Sequence, residues 1–213
     1  MPNVFMYVVD RDFGFAPNPF HGLCSLATCK PIIRRVAVVG DWVIGMGGVR
    51  LSATGRCVFA MKITQIISFN EYWDNPIYND KKPIRNGSRK MIVGDNIYHH
   101  SLGTWHQVDS HHSNADGTPN QTNVVNDTQS NAVLLSNNYY YFGSAAVQIP
   151  GEIITKMGYK NVRGFKKFAL NNAQSLITFL EGNYRLNNLY GDPYDFNIAG
   201  ARYSVGTDKV TID

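Results

Sequence analysis

Residues 38–44 read Val-Val-Gly-Asp-Trp-Val-Ile, and after the glycine-rich residues 45–48 residues 57–63 read Cys-Val-Phe-Ala-Met-Lys-Ile. Both runs are rich in β-branched and aromatic residues, which favour strands, and Gly-Asp favours a turn. We therefore predict a strand, a turn and a second strand here. Working outward, the apolar run at residues 4–9 predicts a buried first strand, and residues 56–69 give the longest strand signal.

The composition agrees with a β-rich fold. Hydrophobic residues make up 44% of the 213 residues and charged residues only 17%, which excludes a wholly disordered chain. Glutamate occurs at three positions only, so long helical bundles are not expected. One amphipathic helix is predicted from Asn171 to Glu181, with Gly182 as its stop. We expect a single α+β domain over residues 1–213, with a bent β-barrel core and peripheral helices.

The cationic residues suggest where phosphates would bind. The formal net charge is +4, a mild excess that permits nucleic-acid binding without requiring it. Lys30, Arg34 and Arg35 form the densest early cluster, and a basic turn follows at residues 81–90. Guanidinium groups bind phosphate in a bidentate manner, so we expect these residues to contact phosphates.

The cysteines and the apolar runs indicate the compartment. The three cysteines, Cys24, Cys29 and Cys57, have no zinc-like spacing, and we expect buried, reduced thiols in a cytoplasmic protein. Residues 23–29 are compatible with two helical turns. No apolar run approaches the roughly 20 residues that a membrane-spanning helix needs, so no membrane association is expected.

Two irregular segments are candidate ligand-binding loops. Residues 13–22 contain Gly14, Pro17 and Pro19, which fix a non-repetitive backbone. The polar side chains on such a loop are available to a ligand, and an asparagine amide can read the edge of a base. The candidates here are Asn18, Phe20 and His21. Residues 109–131 are almost entirely polar, and we expect residues 114–131 to become ordered over a ligand like a lid.

Several aromatic residues are candidate stacking surfaces for a base, although aromatic residues in β-rich proteins also build the core. They are Trp42, Tyr72, Trp73 and Trp105. Trp105 is the preferred candidate because its neighbours in sequence are polar.

The histidines give the strongest chemical signal. Five of the six lie between His99 and His112, with Asp95 and Asp109 nearby. Imidazoles serve acid–base catalysis near neutral pH and ligate zinc or manganese. The spacing matches no zinc signature, so metal binding, metal-free chemistry and surface histidines all remain open. The absence of P-loop, GxGxxG, GxSxG and zinc-deaminase motifs argues against the enzyme classes that carry them.

The predicted hairpin around Gly40-Asp41 resembles the core hairpin of the PUA-like superfamily, which includes the ASCH, EVE and YTH domains. A longer series is similar to the second nucleotide modification associated domain family. Its motifs are Tyr7-Val8-Val9, Gly14-Phe15-Ala16-Pro17-Asn18-Pro19-Phe20, Cys29-Lys30-Pro31, Arg34-Arg35, Gly40-Asp41-Trp42, Gly94-Asp95-Asn96-Ile97-Tyr98-His99, Trp105, Gln107, Ser110, His112-Ser113 and Tyr140-Tyr141-Phe142-Gly143. These motifs span residues 7–143 and leave residues 144–213 as a helix-containing extension.

The resemblance implies a small barrel in a bacterial or phage DNA-modification or defence setting. It favours His99 and His112 over the adjacent His100 and His111, and we take these two with Asp95 as catalytic candidates if the protein is an enzyme. It adds further ligand-binding candidates to the loop and stacking residues above. These are Tyr98, Gln107, Ser110 and Ser113.

Three functions remain open on the sequence alone. The first is recognition of a modified base or nucleotide-derived ligand, with DNA or a free nucleotide as the partner. The second is an enzyme acting on such a ligand through the histidine-rich site. The third is a protein–protein adaptor. The sequence assigns no cofactor, metal or oligomeric state.

Overall fold

The computed structural model describes residues 2–212 and contains fourteen strands and six α-helices within that range. The strands are β1 (Asn3–Val9), β2 (Cys24–Leu26), β3 (Trp42–Gly47), β4 (Arg56–Lys62), β5 (Gln65–Ser68), β6 (Tyr98–Ser101), β7 (Thr104–Gln107), β8 (Ala132–Ser136), β9 (Tyr139–Tyr141), β10 (Val147–Gln148), β11 (Phe165–Ala169), β12 (Asn188–Leu189), β13 (Arg202–Ser204) and β14 (Lys209–Thr211). The helices are α1 (Pro31–Val36), α2 (Phe69–Asp74), α3 (Arg89–Ile92), α4 (Gln121–Asp127), α5 (Gly151–Met157) and α6 (Leu170–Asn183). This mixture confirms the α+β class. Among these helices, none has both the length and the apolar character needed to cross a lipid bilayer.

The chain divides into two compact units, and neither is a continuous segment. The first unit comprises Met1–Asp12, Ala37–Gln65 and Ser136–Tyr194. The second comprises Phe13–Val36, Ile66–Leu135 and Asp195–Asp213. The segments alternate along the sequence, so no single cut in the chain separates the units.

The first unit is built on a seven-stranded mixed sheet in the order β11-β1-β3-β4-β9-β12, with β10 also paired to β4. β1 runs parallel to β3, and β3 and β4 form the antiparallel pair expected from residues 38–63. In the described residues β11 and β12 lie at the two ends of the strand order, and no pairing closes it. The PUA-like barrel is therefore not confirmed.

Helix α6 packs on this sheet through the face that the sequence predicts. Its buried residues follow helical spacing and join inward-facing residues of β1 and β3 in one hydrophobic core. The α6 side chains in that core are Ala173, Leu176, Ile177 and Leu180. Trp42 lies in the same core with 2% of its surface exposed, so it is a packing residue and offers no face to a base.

Two local predictions are corrected by the structure. Residues 23–29 do not form a helix, because Cys24–Leu26 is strand β2 and the helix α1 begins only at Pro31. Proline is suited to the first turn of a helix, where its missing N–H has no partner to lose. The predicted long strand over residues 56–69 is three elements, since β4 ends at Lys62, β5 follows, and Phe69 begins α2.

The packing of α6 predicts a strong effect of shortening a core side chain. Leu176→Ala leaves a cavity in the core of the first unit and should lower the free energy of unfolding by about 2–5 kcal/mol. Asn172→Ala, on the exposed face of the same helix, should change it by less than about 0.5 kcal/mol. Denaturant titration of both variants measures the difference, and equal effects would contradict this packing.

Candidate active site

The site begins at a turn with unusual backbone geometry between β2 and α1. Cys29 and Lys30 have φ angles of 56° and 40°, in the left-handed region that residues other than glycine seldom occupy. Two such residues in succession need support from their surroundings. The backbone N–H of Cys29 donates to Asp127 Oδ1 at 2.8 Å, and Arg34 Nε donates to the Cys29 carbonyl at 2.9 Å. The cysteine is thus held in a fixed position with its side chain partly exposed.

Asp127, the last residue of α4, is completely buried and accepts four hydrogen bonds. Oδ1 accepts from the Cys29 backbone and from Asn126 Nδ2 at 3.1 Å. Oδ2 accepts from His112 Nδ1 at 2.7 Å and from the Tyr98 hydroxyl at 3.0 Å. Four donors favour the ionised carboxylate, and the pKa of Asp127 is lowered because His112 and these hydrogen bonds outweigh the effect of burial.

His112 connects this carboxylate to the thiol. Its Nδ1 binds Asp127, and its Nε2 lies 3.8 Å from Cys29 Sγ. Burial alone would lower the pKa of His112, but the charge of Asp127 and the neighbouring Cys29 raise it to about 10. The imidazole is therefore protonated at neutral pH. A cysteine, a histidine and an orienting carboxylate in this order are the arrangement that cysteine nucleophiles use.

Arg34 is buried next to the cysteine turn and stabilises it through hydrogen bonds to backbone carbonyls. It is 1% exposed, and its guanidinium donates to the carbonyls of Ser130 at 2.9 Å, Ala132 at 2.6 Å and Asp127. Together with the bond to Cys29, these contacts tie the cysteine turn to the end of α4. The donors of Arg34, which the sequence predicts to contact phosphate, are directed at backbone carbonyls of the protein. Arg35 is exposed on α1 and remains available to a ligand.

Tyr98 binds the carboxylate directly, and Gln107 supports Tyr98 from the other side of its hydroxyl. Gln107 Nε2 donates to the Tyr98 hydroxyl at 2.9 Å and to the His112 carbonyl at 3.1 Å. Its Oε1 accepts from the backbone of Asn120 at 2.8 Å. These side chains, predicted as ligand contacts, bind protein groups and fix the orientation of Asp127 and His112.

The loop that carries His112 is fixed by a third set of contacts. Ser110 Oγ accepts from the His112 backbone at 3.3 Å, and Ser113 Oγ donates to Asp109 Oδ1 at 2.9 Å. Arg202 donates to the same Asp109 oxygen and to Ser113 Oγ, each at 2.5 Å. Ser110 and Ser113 are both buried, so they position the loop and do not present hydroxyls to solvent.

His111 and His112 are adjacent in sequence but differ in charge. His111 is 3% exposed, and burial with the neighbouring His112 charge lowers its pKa to about 3. Its Nδ1 lies 2.6 Å from the Ala201 carbonyl, which fixes the proton on that nitrogen. Neighbouring groups whose pKa values are displaced in opposite directions are characteristic of acid–base sites.

Asp95, predicted to be catalytic, belongs to a different buried network. It accepts from Ser25 Oγ at 2.7 Å and from the Tyr72 hydroxyl at 2.9 Å, and burial raises its pKa. Lys81 is buried beside it, where desolvation lowers the pKa of the ammonium to about 8. None of these residues takes part in the Cys29–His112–Asp127 contacts, so the structure does not bring Asp95 together with His112.

Asn18 completes that second network. Its Nδ2 donates to the Val93 carbonyl at 2.8 Å, and its Oδ1 accepts from Lys81 Nζ at 2.8 Å. Lys81 also donates to the carbonyls of Asn18 and Leu23. The amide of Asn18, which the sequence predicts to read a base, is thus engaged within the protein. Lys81 is buried, so it is not part of an exposed basic turn.

The remaining predicted residues are distributed over the second unit. His99 and Trp105 lie on the β6–β7 hairpin, where His99 faces His106 with ring centroids 4.7 Å apart. Burial and His106 lower the pKa of His99. Trp105 is partly exposed and packs edge to face on Phe69, with the ring centroids 5.4 Å apart.

Two residues of the first irregular loop have opposite environments. His21 is exposed, whereas Phe20 is 2% exposed and stacks on Phe196 with centroids 5.4 Å apart. Only His21 is available to a ligand without rearrangement.

Cys29, His112 and Asp127 also place one potential metal-ligand atom each within 4.8 Å of the others. Zinc favours thiolate and imidazole ligands, and a structural zinc site takes four of them. Asp127, however, binds His112 through Nδ1, the position of an outer carboxylate that orients a histidine. Cys29 Sγ and His112 Nε2 remain as two direct ligands, which do not make a metal centre by themselves.

Two of the three residues at this site were missed by sequence reasoning. The sequence predicts a buried, reduced thiol at Cys29, but this residue is partly exposed, and Asp127 lies in a polar stretch with no distinguishing local pattern. One signal was present, since Cys29-Lys30-Pro31 belongs to the family-like motifs. The polar stretch is not an unformed lid, because α4 lies within it and buries Asn123, Val124 and Asp127.

Comparison with protein families identifies this chain. The family model described as nucleotide modification associated domain 2 matches residues 1–200. This match confirms the resemblance to the second nucleotide modification associated domain family and extends it beyond residues 7–143. No curated protein and no solved structure matches the chain significantly.

The displaced pKa values predict how stability depends on pH. Because the pKa of His112 rises from 6.5 to about 10 on folding, its contribution is complete below about 6.5 and is lost as pH rises to about 10. Asp127→Asn removes the countercharge, and at pH 6 it should cost about 3–5 kcal/mol. The decline of stability between pH 6.5 and 10 should also become shallower in this variant.

Denaturant titrations across that pH range measure both effects. Asp116→Asn, at an exposed carboxylate, is the control and should retain the parent slope. An unchanged slope in Asp127→Asn would contradict the ion pair.

Proposed function

Because the chain belongs to the nucleotide modification associated domain 2 family, we propose that it is an enzyme that uses Cys29 as a nucleophile on a nucleotide-derived ligand. One observation carries this proposal. Cys29 Sγ lies 3.8 Å from His112 Nε2, and His112 Nδ1 lies 2.7 Å from Asp127 Oδ2. The imidazole thus connects the thiol to the carboxylate. The family supplies the nucleotide-modification setting, and the side chains supply the chemistry.

Each of the three residues has a separate role in the proposed reaction. Cys29 reacts as the thiolate, its proton having passed to solvent, because His112 already carries a proton. The sulfur forms a bond to an electrophilic carbon of the ligand, and the group that departs takes the electron pair of the broken bond. His112 gives its Nε2 proton to that departing group. Water or a second substrate then attacks the same carbon, the carbon–sulfur bond breaks, and His112 recovers a proton from the attacking group. Asp127 holds the imidazole in one orientation and stabilises its charge throughout.

The energetic cost of this arrangement favours catalysis over a purely structural role. A buried ion costs several kcal/mol to desolvate, and a buried pair is often no more stable than apolar residues of similar size. The left-handed backbone at Cys29 and Lys30 adds further strain. Strained residues and buried charges that meet at a partly exposed thiol are typical of active sites.

Recognition of a modified base without turnover is the second candidate. The observation that favours it is that several predicted ligand contacts remain accessible in the second unit, namely the exposed Arg35 and His21 and the partly exposed Trp105. In that case the ligand would bind at these residues and be released unchanged. An adaptor function has no comparable observation in its favour.

A turnover experiment separates these functions. The protein is incubated with a panel of canonical and modified nucleotides and oligonucleotides, and the small molecules are analysed by mass spectrometry. We expect many equivalents of product per protein. Cys29→Ser should lower turnover by at least about 10³-fold, and His112→Gln by about 10²–10⁴-fold.

Cys24→Ala is the matched control, because Cys24 is a buried thiol outside the site. It should retain parent turnover. Unchanged ligand recovered at a stoichiometric ratio, equally in the parent and in Cys29→Ser, would support recognition and contradict catalysis.

A further inference from the structure

The C-terminal segment at residues 201–205 lies against the histidine loop. The backbone N–H of Tyr203 donates to the His111 carbonyl at 2.7 Å. Asn123 Nδ2 donates to the Tyr203 carbonyl at 2.5 Å and to the His112 carbonyl at 2.8 Å. Val205 N–H donates to Asn123 Oδ1 at 2.8 Å. This segment follows residue 200, the last one that the family model matches.

These bonds place the Tyr203 ring beside both histidines. Its centroid lies 5.9 Å from the His112 ring and 6.5 Å from the His111 ring, and it is nearly parallel to His111 with an interplanar angle of 13°. The Tyr203 hydroxyl donates to Asp208 at 3.1 Å, which fixes the far end of the ring. Hydrogen bonds thus engage Tyr203 through its backbone and through its hydroxyl.

Tyr203 differs in exposure from the other rings around the histidines. Phe15 packs on His111 and His112 with centroids 5.0 Å and 4.7 Å away, and Phe13 lies 4.3 Å from His111. Both phenylalanines are buried, with 6% or less of their surface exposed. Tyr203 is partly exposed, so it is the ring of this group that an incoming molecule can contact.

We propose that Tyr203 is a specificity-determining residue whose ring stacks on a planar, ring-bearing part of the ligand and delivers it to Cys29. This inference rests on the proposed function, since it assumes that Cys29 is the reacting group. A nucleobase fits the stated chemistry, because each base offers a flat π face and stacking on an aromatic side chain tolerates any base. The hydrogen bonds that Tyr203 already makes restrict its side chain before binding, which reduces the entropy lost when such a ring binds.

Two alkylating reagents with the same reactive group test this proposal. Iodoacetamide and iodoacetanilide differ by one phenyl ring, so the ratio of their rates with Cys29 reports the preference for a ring. Changes in the reactivity of the thiol itself cancel in that ratio. Relative to glutathione, the parent protein should favour iodoacetanilide by about 5-fold or more, the effect of one stacked ring.

Two substitutions locate the preference. Tyr203→Leu keeps an apolar side chain without an aromatic face, and it should reduce the ratio to the glutathione value. Tyr203→Phe retains the ring and should stay within about 2-fold of the parent. Tyr194→Leu is the matched control, because Tyr194 is also a partly exposed tyrosine but lies in the first unit, whereas Tyr203 lies in the second. It should not change the ratio. Peptide mass mapping assigns the alkylation to Cys29.

The outcomes separate this inference from the proposed function. If Cys29 is alkylated but the ratio is the same in the parent and in Tyr203→Leu, the stacking role is wrong and the nucleophile stands. An equal loss in Tyr203→Phe would also overturn it, because the hydroxyl contact would then carry the effect. If Cys29 reacts no faster than the buried Cys24, whose pKa burial raises to about 12, both proposals fail.

Discussion

The buried carboxylate of Asp127 is the constraint on which the rest of the site depends. It accepts hydrogen bonds from the Cys29 backbone, Asn126, Tyr98 and His112, so both oxygens are fully engaged. A buried negative charge without contact to water requires a positive partner. Protonated His112 is the positive partner of the Asp127 carboxylate. The same carboxylate anchors the strained turn at Cys29. One side chain therefore determines the position of the thiol, the orientation of the imidazole and the charge of the imidazole.

The second buried network shows that burial of charge alone does not make a reactive site. Asp95 and Lys81 are also desolvated, but their neighbours are serine, tyrosine and asparagine groups and backbone carbonyls that satisfy them. The thiol that interacts with both of them, Cys24, is buried, so this network presents no accessible nucleophile. In the first network a partly exposed thiol lies beside the imidazole, and the adjacent His111 is held neutral at the same loop. This difference in partners, and not in burial, is what distinguishes the candidate active site.

Local patterns in the sequence predict the elements of this protein well and their long-range contacts poorly. The apolar run at residues 4–9 and the helical spacing of α6 both give the observed structure, because the signal lies within one element. Cys29 is separated from His112 by 83 positions and from Asp127 by 98, so no local pattern can bring them together. The clustering of histidines draws attention to the loop that carries His112. It also draws attention to His99, which lies on the β6–β7 hairpin and outside the Asp127 contacts.

The charge state of His112 tests the central claim most directly. Nuclear magnetic resonance of the protein with ¹⁵N-labelled histidine follows each ring nitrogen as a function of pH. The account predicts that His112 stays doubly protonated through neutral pH and titrates near pH 10, while His111 stays neutral down to about pH 3. In Asp127→Asn the titration of His112 should move to lower pH by several units. A His112 resonance that titrates at or below 6.5 in the parent protein would show that the carboxylate does not hold the imidazole as a cation, and would contradict the account.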